Sequence, residues 1–202
     1  MRSRISPMRR TLVLFLMLAA LALAAWPAAA SPPVPAAGWQ CSFVEAPALH
    51  AGEHASLALD SFGAPHIAYM GQQAEGVYIF GLKYASYSAG DWQIEFVDDD
   101  AFGYASLEID AQDEPHISYY NAHDADLVYA HFYDGKWHIT HVDTAGSVGE
   151  ETSLALDAAG LPHISYYAAD GQAVKYARRL PNGEWSVETV EANIGWTVPT
   201  AI

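Results

Sequence analysis

Ser56-Leu-Ala-Leu-Asp60, followed by Pro65-His-Ile-Ala-Tyr69, decides the fold, because the chain carries this stretch three times. It returns as Ser106-Leu-Glu-Ile-Asp110 with Pro115-His-Ile-Ser-Tyr119, and again as Ser153-Leu-Ala-Leu-Asp157 with Pro162-His-Ile-Ser-Tyr166. Each copy runs on to Lys83-Tyr-Ala85, Val128-Tyr-Ala130 or Lys175-Tyr-Ala177, then to a glycine-containing turn and a tryptophan: Trp92, Trp137 or Trp185. Short apolar runs bounded by Gly, Pro, Asn and Asp predict strands, four to a copy. The leading serines stand 50 and 47 residues apart. Four strands at that period are the mark of a β-propeller blade, whereas a β-solenoid needs a shorter repeat. The expected fold is therefore all-β, a propeller of four-stranded antiparallel blades, with complete blades over residues 56–97, 106–142 and 153–190.

Working outward, Trp39-Gln-Cys-Ser-Phe-Val-Glu45 matches Trp92-Gln-Ile-Glu-Phe-Val-Asp98, so residues 39–45 are expected to form an orphan outermost strand. Val190 corresponds to Val142, which places the start of a further blade at residues 200–202. Three blades and two fragments do not make a closed ring of four to eight blades, and an open ring leaves two pairing-competent edges. The expectation is a piece of a longer protein, or a ring assembled from more than one chain by self-association through those edges.

Residues 1–30 have the layout of a cleaved secretory signal: arginines at 2, 4, 9 and 10, an apolar run over 11–25, then small residues to Ala30. That run is shorter than the ~20 residues that cross a bilayer. Residues 31–38 form a Pro/Ala-rich linker ahead of the propeller at 39–202. These features predict a secreted, extracellular or periplasmic protein with no membrane association after cleavage. Cys41 is the single cysteine, so no intrachain disulfide is available.

The whole chain carries 9 Lys+Arg against 24 Asp+Glu. Removing the first 30 residues, which hold four of the arginines and no acid, leaves five basic groups against 24 acidic ones. So acidic a chain lacks the basic footprint that nucleic acid or an anionic membrane requires. At 51% hydrophobic and 12% aromatic it is nonetheless far too apolar to stay disordered.

The run SLALD..G.PHISYY...(L/V)KYA...NG.W resembles the tandem repeats of secreted bacterial β-propellers, broadly similar to the sialidase-like and Asp-box propellers, over residues 39–202. The resemblance implies a fold that hosts enzymes, lectins and adhesion modules alike. It also raises glycoside hydrolysis. A sialidase site would resemble three arginines gripping a carboxylate, beside a Tyr/Glu nucleophile pair and an acidic Asp. After residue 30 the chain has Arg178 and Arg179 alone, adjacent and so pointing to opposite faces of a strand. No G-x-S-x-G, H-E-x-x-H or phosphate loop is present, and the abundant acids single out no carboxylate pair. The reading favoured is a non-enzymatic module for a glycan or an extracellular protein. The alternative is part of a sialidase-like glycoside hydrolase whose catalytic residues lie outside this chain.

His66, His116 and His163 each follow an aspartate by six residues, Asp60, Asp110 and Asp157. A metal or catalytic set is one reading, but a pair present in every blade is first of all what the blade needs to fold. Ligand contacts belong where the blades differ. The linkers entering each innermost strand share a glycine, and the residue after it varies: Glu53, Tyr104, Glu150 and Trp196. Rings for stacking and acids for accepting hydrogen bonds suit a polyhydroxylated ligand, so these four are the candidate binding residues. No cofactor is expected. The acid clusters at 98–100, 124/126 and 150–151 would suit Ca2+, but none has the spacing of a calcium loop.

Overall fold

In the computed structural model, residues 41–45, 51–73 and 79–194 are described. They form twelve strands in three four-stranded antiparallel sheets. The first sheet runs β1 (Glu53–Leu59), β2 (Pro65–Gln72), β3 (Phe80–Ser88), β4 (Asp91–Asp98), each pairing with the next. The second runs β5 (Ser106–Ile109), β6 (Pro115–Asn121), β7 (Asp126–Tyr133), β8 (Lys136–Asp143). The third runs β9 (Val148–Leu156), β10 (Pro162–Ala168), β11 (Ala173–Arg179), β12 (Trp185–Glu191). No helix interrupts them among the described residues. The three four-stranded antiparallel sheets expected from the repeat are thus present with their strand order, and each is called a blade below.

The β1–β2, β5–β6 and β9–β10 turns are built by their aspartates. Asp60 Oδ1 accepts the amides of Phe62 and Ala64, Asp110 those of Gln112 and Glu114, and Asp157 those of Ala159 and Leu161. The paired histidine follows as the sequence predicts: Nε2 lies 3.5, 3.4 and 3.5 Å from the carboxylates of Asp60, Asp110 and Asp157. On its other side each imidazole Nδ1 meets a tyrosine hydroxyl of the third strand, Tyr84, Tyr129 or Tyr176. An Asp–His–Tyr chain therefore ties turn, second strand and third strand together in every blade.

Two apolar layers lie between successive sheets. Ala68, Met70, Leu82 and Tyr84 of the first pack on Leu107, Ile117, Tyr119 and Val128 of the second. Leu127 and Tyr129 pack on Leu154, Ile164, Tyr166 and Ala177 of the third. The tryptophans bridge the same gaps: Trp137 stands edge-on to Tyr84, and Trp185 edge-on to Tyr129. Ser56 and Ser106 accept, on their hydroxyl oxygens, the amides of Leu107 and Leu154 in the following blade.

A polar latch repeats at the outer rim. The acid ending one blade accepts a hydrogen bond from a tyrosine in the second strand of the next: Asp98 from Tyr119 at 2.5 Å, Asp143 from Tyr166 at 2.6 Å. Lys175 adds its ammonium to Asp143. Ahead of the first blade, Glu45 takes the same part with Tyr69 and Lys83. Residues 41–45 nevertheless carry no strand, so the orphan strand anticipated over 39–45 is not formed there, while residues 39 and 40 lie outside the described set. Position 45 is equivalent to 98 and 143 in chemistry without being so in secondary structure. The blade start expected at 200–202 also lies outside the described residues.

Candidate functional site

In the first and third sheets the linkers reach the innermost strands through β-bulges, while the second linker enters β5 directly, and this determines which side chains share a site. Glu53 pairs with Met70 and Glu150 with Tyr167, after which the register slips before Ser56 and Ser153 resume it. In the second blade Gly103 stands where those glutamates do, its carbonyl accepting the Tyr120 amide. The residue after each is held at positive φ: His54 at 50°, Tyr104 at 56° and Glu151 at 51°. Non-glycine residues are uncommon in that region, and three at one repeated position mark a shared backbone turn at the linker. His54, Tyr104 and Glu151 are therefore the equivalent set.

The candidates taken from the sequence are not all equivalent on this backbone. Counting from the glycine equated Glu53, Tyr104 and Glu150, but the linker of the second blade is one residue shorter between glycine and serine. Tyr104 stays in the site. Glu53 is replaced by its neighbour His54, and Glu150 yields first place to Glu151, although both glutamates act electrostatically on the Tyr104 phenol. Trp196 lies outside the described residues.

His54, Ala55, Tyr104, Ala105, Glu151 and Thr152 line a shallow depression of about 200 Å³ where the starts of β1, β5 and β9 come together. The His54 and Tyr104 rings are tilted at 53° with centroids 4.8 Å apart, and Tyr120 stands edge-on to Tyr104 at 6.4 Å. A Cβ at Gly103 would come within 3.3 Å of His54 Nε2, so glycine there lets the imidazole lie against the linker. Thr152 is pinned from below by Ser118, hydroxyl to hydroxyl at 2.8 Å. Burial, then Glu150 and Glu151, push the Tyr104 phenol above its ordinary value. A phenol so placed is a hydrogen-bond donor at neutral pH; an activated nucleophile would need the opposite shift. Imidazole, phenol and carboxylate together offer both donors and acceptors around one half-buried ring.

No protein-family model matches the chain, and no curated protein sequence matches it. Solved structures do. A fucose lectin from Kordia zhangzhouensis, in complex with methyl-fucoside, is 20% identical with a TM-score of 0.45, over 69% of this chain and 99% of the lectin. A protein of unknown function from Dyadobacter fermentans is 14% identical with a TM-score of 0.48, over 67% of this chain and 50% of that one. A bifunctional GH43-CE protein from Bacteroides eggerthii is 13% identical with a TM-score of 0.41, over 68% of this chain and 19% of that one.

Two other depressions differ in kind. One of about 450 Å³ lies between residues 42–45 and the inner face of the first blade, lined by Phe43, Ile67 and Tyr69. Its floor is the surface that Ile117 and Ile164 bury against a preceding blade elsewhere, so it is an unfilled blade contact. Another, about 300 Å³, sits between the second and third blades beside His116, His131 and Arg179. The acids singled out for calcium are partly committed to structure: Asp98 and Asp143 hold the latches, and Asp126 holds His141 at 2.7 Å.

Sequence comparison between blades passed over His131 and His138. His131 is the cross-strand neighbour of His116 and His138 that of His131, a relation that exists only once β6, β7 and β8 are in register. A signal was present all the same, since the equivalent pairs are Ser86 with Gln93 in the first blade and Arg178 with Ser186 in the third.

Proposed function

We propose that this chain is an exported, non-enzymatic propeller module that binds a hydroxyl-rich glycan at the depression of His54, Tyr104 and Glu151. The observation that carries this is the repeated positive-φ turn, which sets a different polar side chain from each blade around one point. Variation at a position whose backbone is invariant is what a binding surface built on a rigid repeat requires. The phenol and imidazole rings offer stacking faces, and Glu151 with the Tyr104 hydroxyl accepts and donates hydrogen bonds to sugar hydroxyls. The basic, then apolar, then small-residue N-terminus supports export, and the acidic composition suits a neutral sugar rather than a polyanion. The raised Tyr104 phenol and the want of an arginine triad weigh against sialidase-type hydrolysis by these residues.

The test is a glycan array on the full chain, followed by titration of the best binder against Tyr104→Ala and Glu151→Gln. Ring stacking worth on the order of 1 kcal/mol corresponds to about fivefold weaker binding for Tyr104→Ala. Unchanged affinity in both variants, or release of reducing ends from the bound glycan, would overturn this assignment.

A further inference from the structure

The second blade carries a row of polar side chains that its neighbours lack. Glu108, His116, His131 and His138 are direct cross-strand partners across β5, β6, β7 and β8, and so share one face of the sheet. The same row reads Ala58, His66, Ser86, Gln93 in the first blade and Ala155, His163, Arg178, Ser186 in the third. The fold needs only the histidine at the second place.

His116 is 3% exposed, and its ring stacks on His131 with centroids 3.8 Å apart and planes 20° from parallel. Nδ1 of His116 is taken by the Tyr129 hydroxyl, which leaves Nε2 as the nitrogen facing Asp110. Nε2 of His116 and Nε2 of His131 are both buried with no well-formed hydrogen bond. Carboxylates stand beside each, Asp110 Oδ2 at 3.4 Å from His116 and Glu114 Oε2 at 3.4 Å from His131. The donor atoms of Asp110, His116 and His131 all lie within 4.8 Å of one another. Two buried imidazole nitrogens that each meet a carboxylate only loosely, at 3.4 Å, form an arrangement that an ion joining all four groups would tighten.

We infer that Asp110, His116 and His131 bind a divalent transition-metal cation, with Zn2+ the best fit, and that Glu114 lies beside the fourth position. Imidazole and carboxylate donors are the set such cations take, and tetrahedral coordination needs four. The Tyr129 hydroxyl on His116 Nδ1 supplies the outer contact that orients a metal-binding imidazole. Arg179, on the third blade, is the opposing charge, and the carboxylates of Asp110 and Glu114 outnumber it. The depression between Leu161, Pro162 and Arg179 gives the ion its way in. Bound there, the ion would fix the β5–β6 turn to β7 at the seam with the third blade.

The experiment uses the full chain without a histidine tag, stripped with chelator and titrated with Zn2+ by calorimetry and with Co2+ by visible absorption. One equivalent of Zn2+ should bind and raise Tm, and Co2+ should give the intense bands of tetrahedral coordination. His131→Ser, which installs the residue of the first blade, should weaken binding at least tenfold, whereas His141→Ala should not. Histidine ring 15N spectra of the wild type read the same contact without a variant: Zn2+ should shift Nε2 of His116 and His131 and leave His66 and His163 in place. Absence of stoichiometric binding would overturn the assignment. So would loss in His141→Ala alone, which would place the ion at the exposed Asp124–Asp126–His141 group.

Discussion

Leu57 and Leu107 occupy the same place in the same motif, yet Leu57 is 61% exposed and Leu107 3%. Leu154, the third copy, is again 3% exposed. The difference is the neighbour: the second and third blades each lay their inner face on a preceding sheet, whereas among the described residues the first has only 41–45 before it. A blade's own sequence specifies four strands and a turn, while its core is made by the sheet against which it stacks. That is the nearest-neighbour logic of repeat proteins, in which the interface term matters as much as the unit.

The sharpest way to break this comparison is to truncate both leucines. Leu107→Ala should cost about 3 kcal/mol, as a large-to-small change in a packed layer does. Leu57→Ala should change stability by less than about 0.5 kcal/mol. Equal losses in urea denaturation would show that the first blade's inner face is covered in solution.

The latches give the next effect. Asp143→Asn should cost about 2 kcal/mol, less than a fully buried pair because Lys175 keeps some access to water. Glu191, its equivalent in the third blade, is exposed, and Glu191→Gln should be silent. Burial alone would raise the Asp143 carboxyl, but hydrogen bonds from Lys175, Tyr166 and the Ala145 amide outweigh it and hold it below the ordinary value. A carboxylate depressed in the folded state contributes stability above its unfolded value near 3.8, and loses it as pH falls through the folded one. Acid melts of the wild type should therefore steepen below about pH 4 and flatten in Asp143→Asn.

The smallest contrast concerns two serines. Ser118 bonds Thr152 of the next blade, whereas Ser165 Oγ is buried with no partner. Ser118→Ala should cost about 1 kcal/mol by stranding the threonine hydroxyl, and Ser165→Ala should cost nothing or stabilise slightly. A loss of 1 kcal/mol in both would mean that Ser165 is already satisfied by a further element.

The blades were legible because a tandem repeat displays its own alignment: SLALD, PHISY and KYA recur with their turns, and period-two patterning does the rest. The latch acid at position 45 was legible for the same reason, even though residues 41–45 are not a strand. The candidate site was half legible. Of the four candidate residues, Tyr104 shares its turn with His54 and Glu151 rather than with Glu53 and Glu150, because a bulge adds a residue to β1 and β9 that the second linker lacks, and sequence spacing does not say which residue is the extra one. The histidine row was hidden for a deeper reason. His116, His131 and His138 are neighbours through strand register, which joins positions 15 and 7 residues apart with no periodic signal.

Every latch points backwards along the chain. Glu45 precedes Tyr69 and Lys83, Asp98 precedes Tyr119, and Asp143 precedes Tyr166 and Lys175, at separations between 21 and 38 residues. During synthesis, each new sheet thus finds its acceptor already delivered and a formed surface to settle on. Contacts of such short reach favour fast, sequential assembly from the N-terminal end. Circular permutation that moved residues 42–98 to the end of the chain would keep nearly every contact, yet would leave the second blade to emerge before Asp98, the acid that receives its Tyr119.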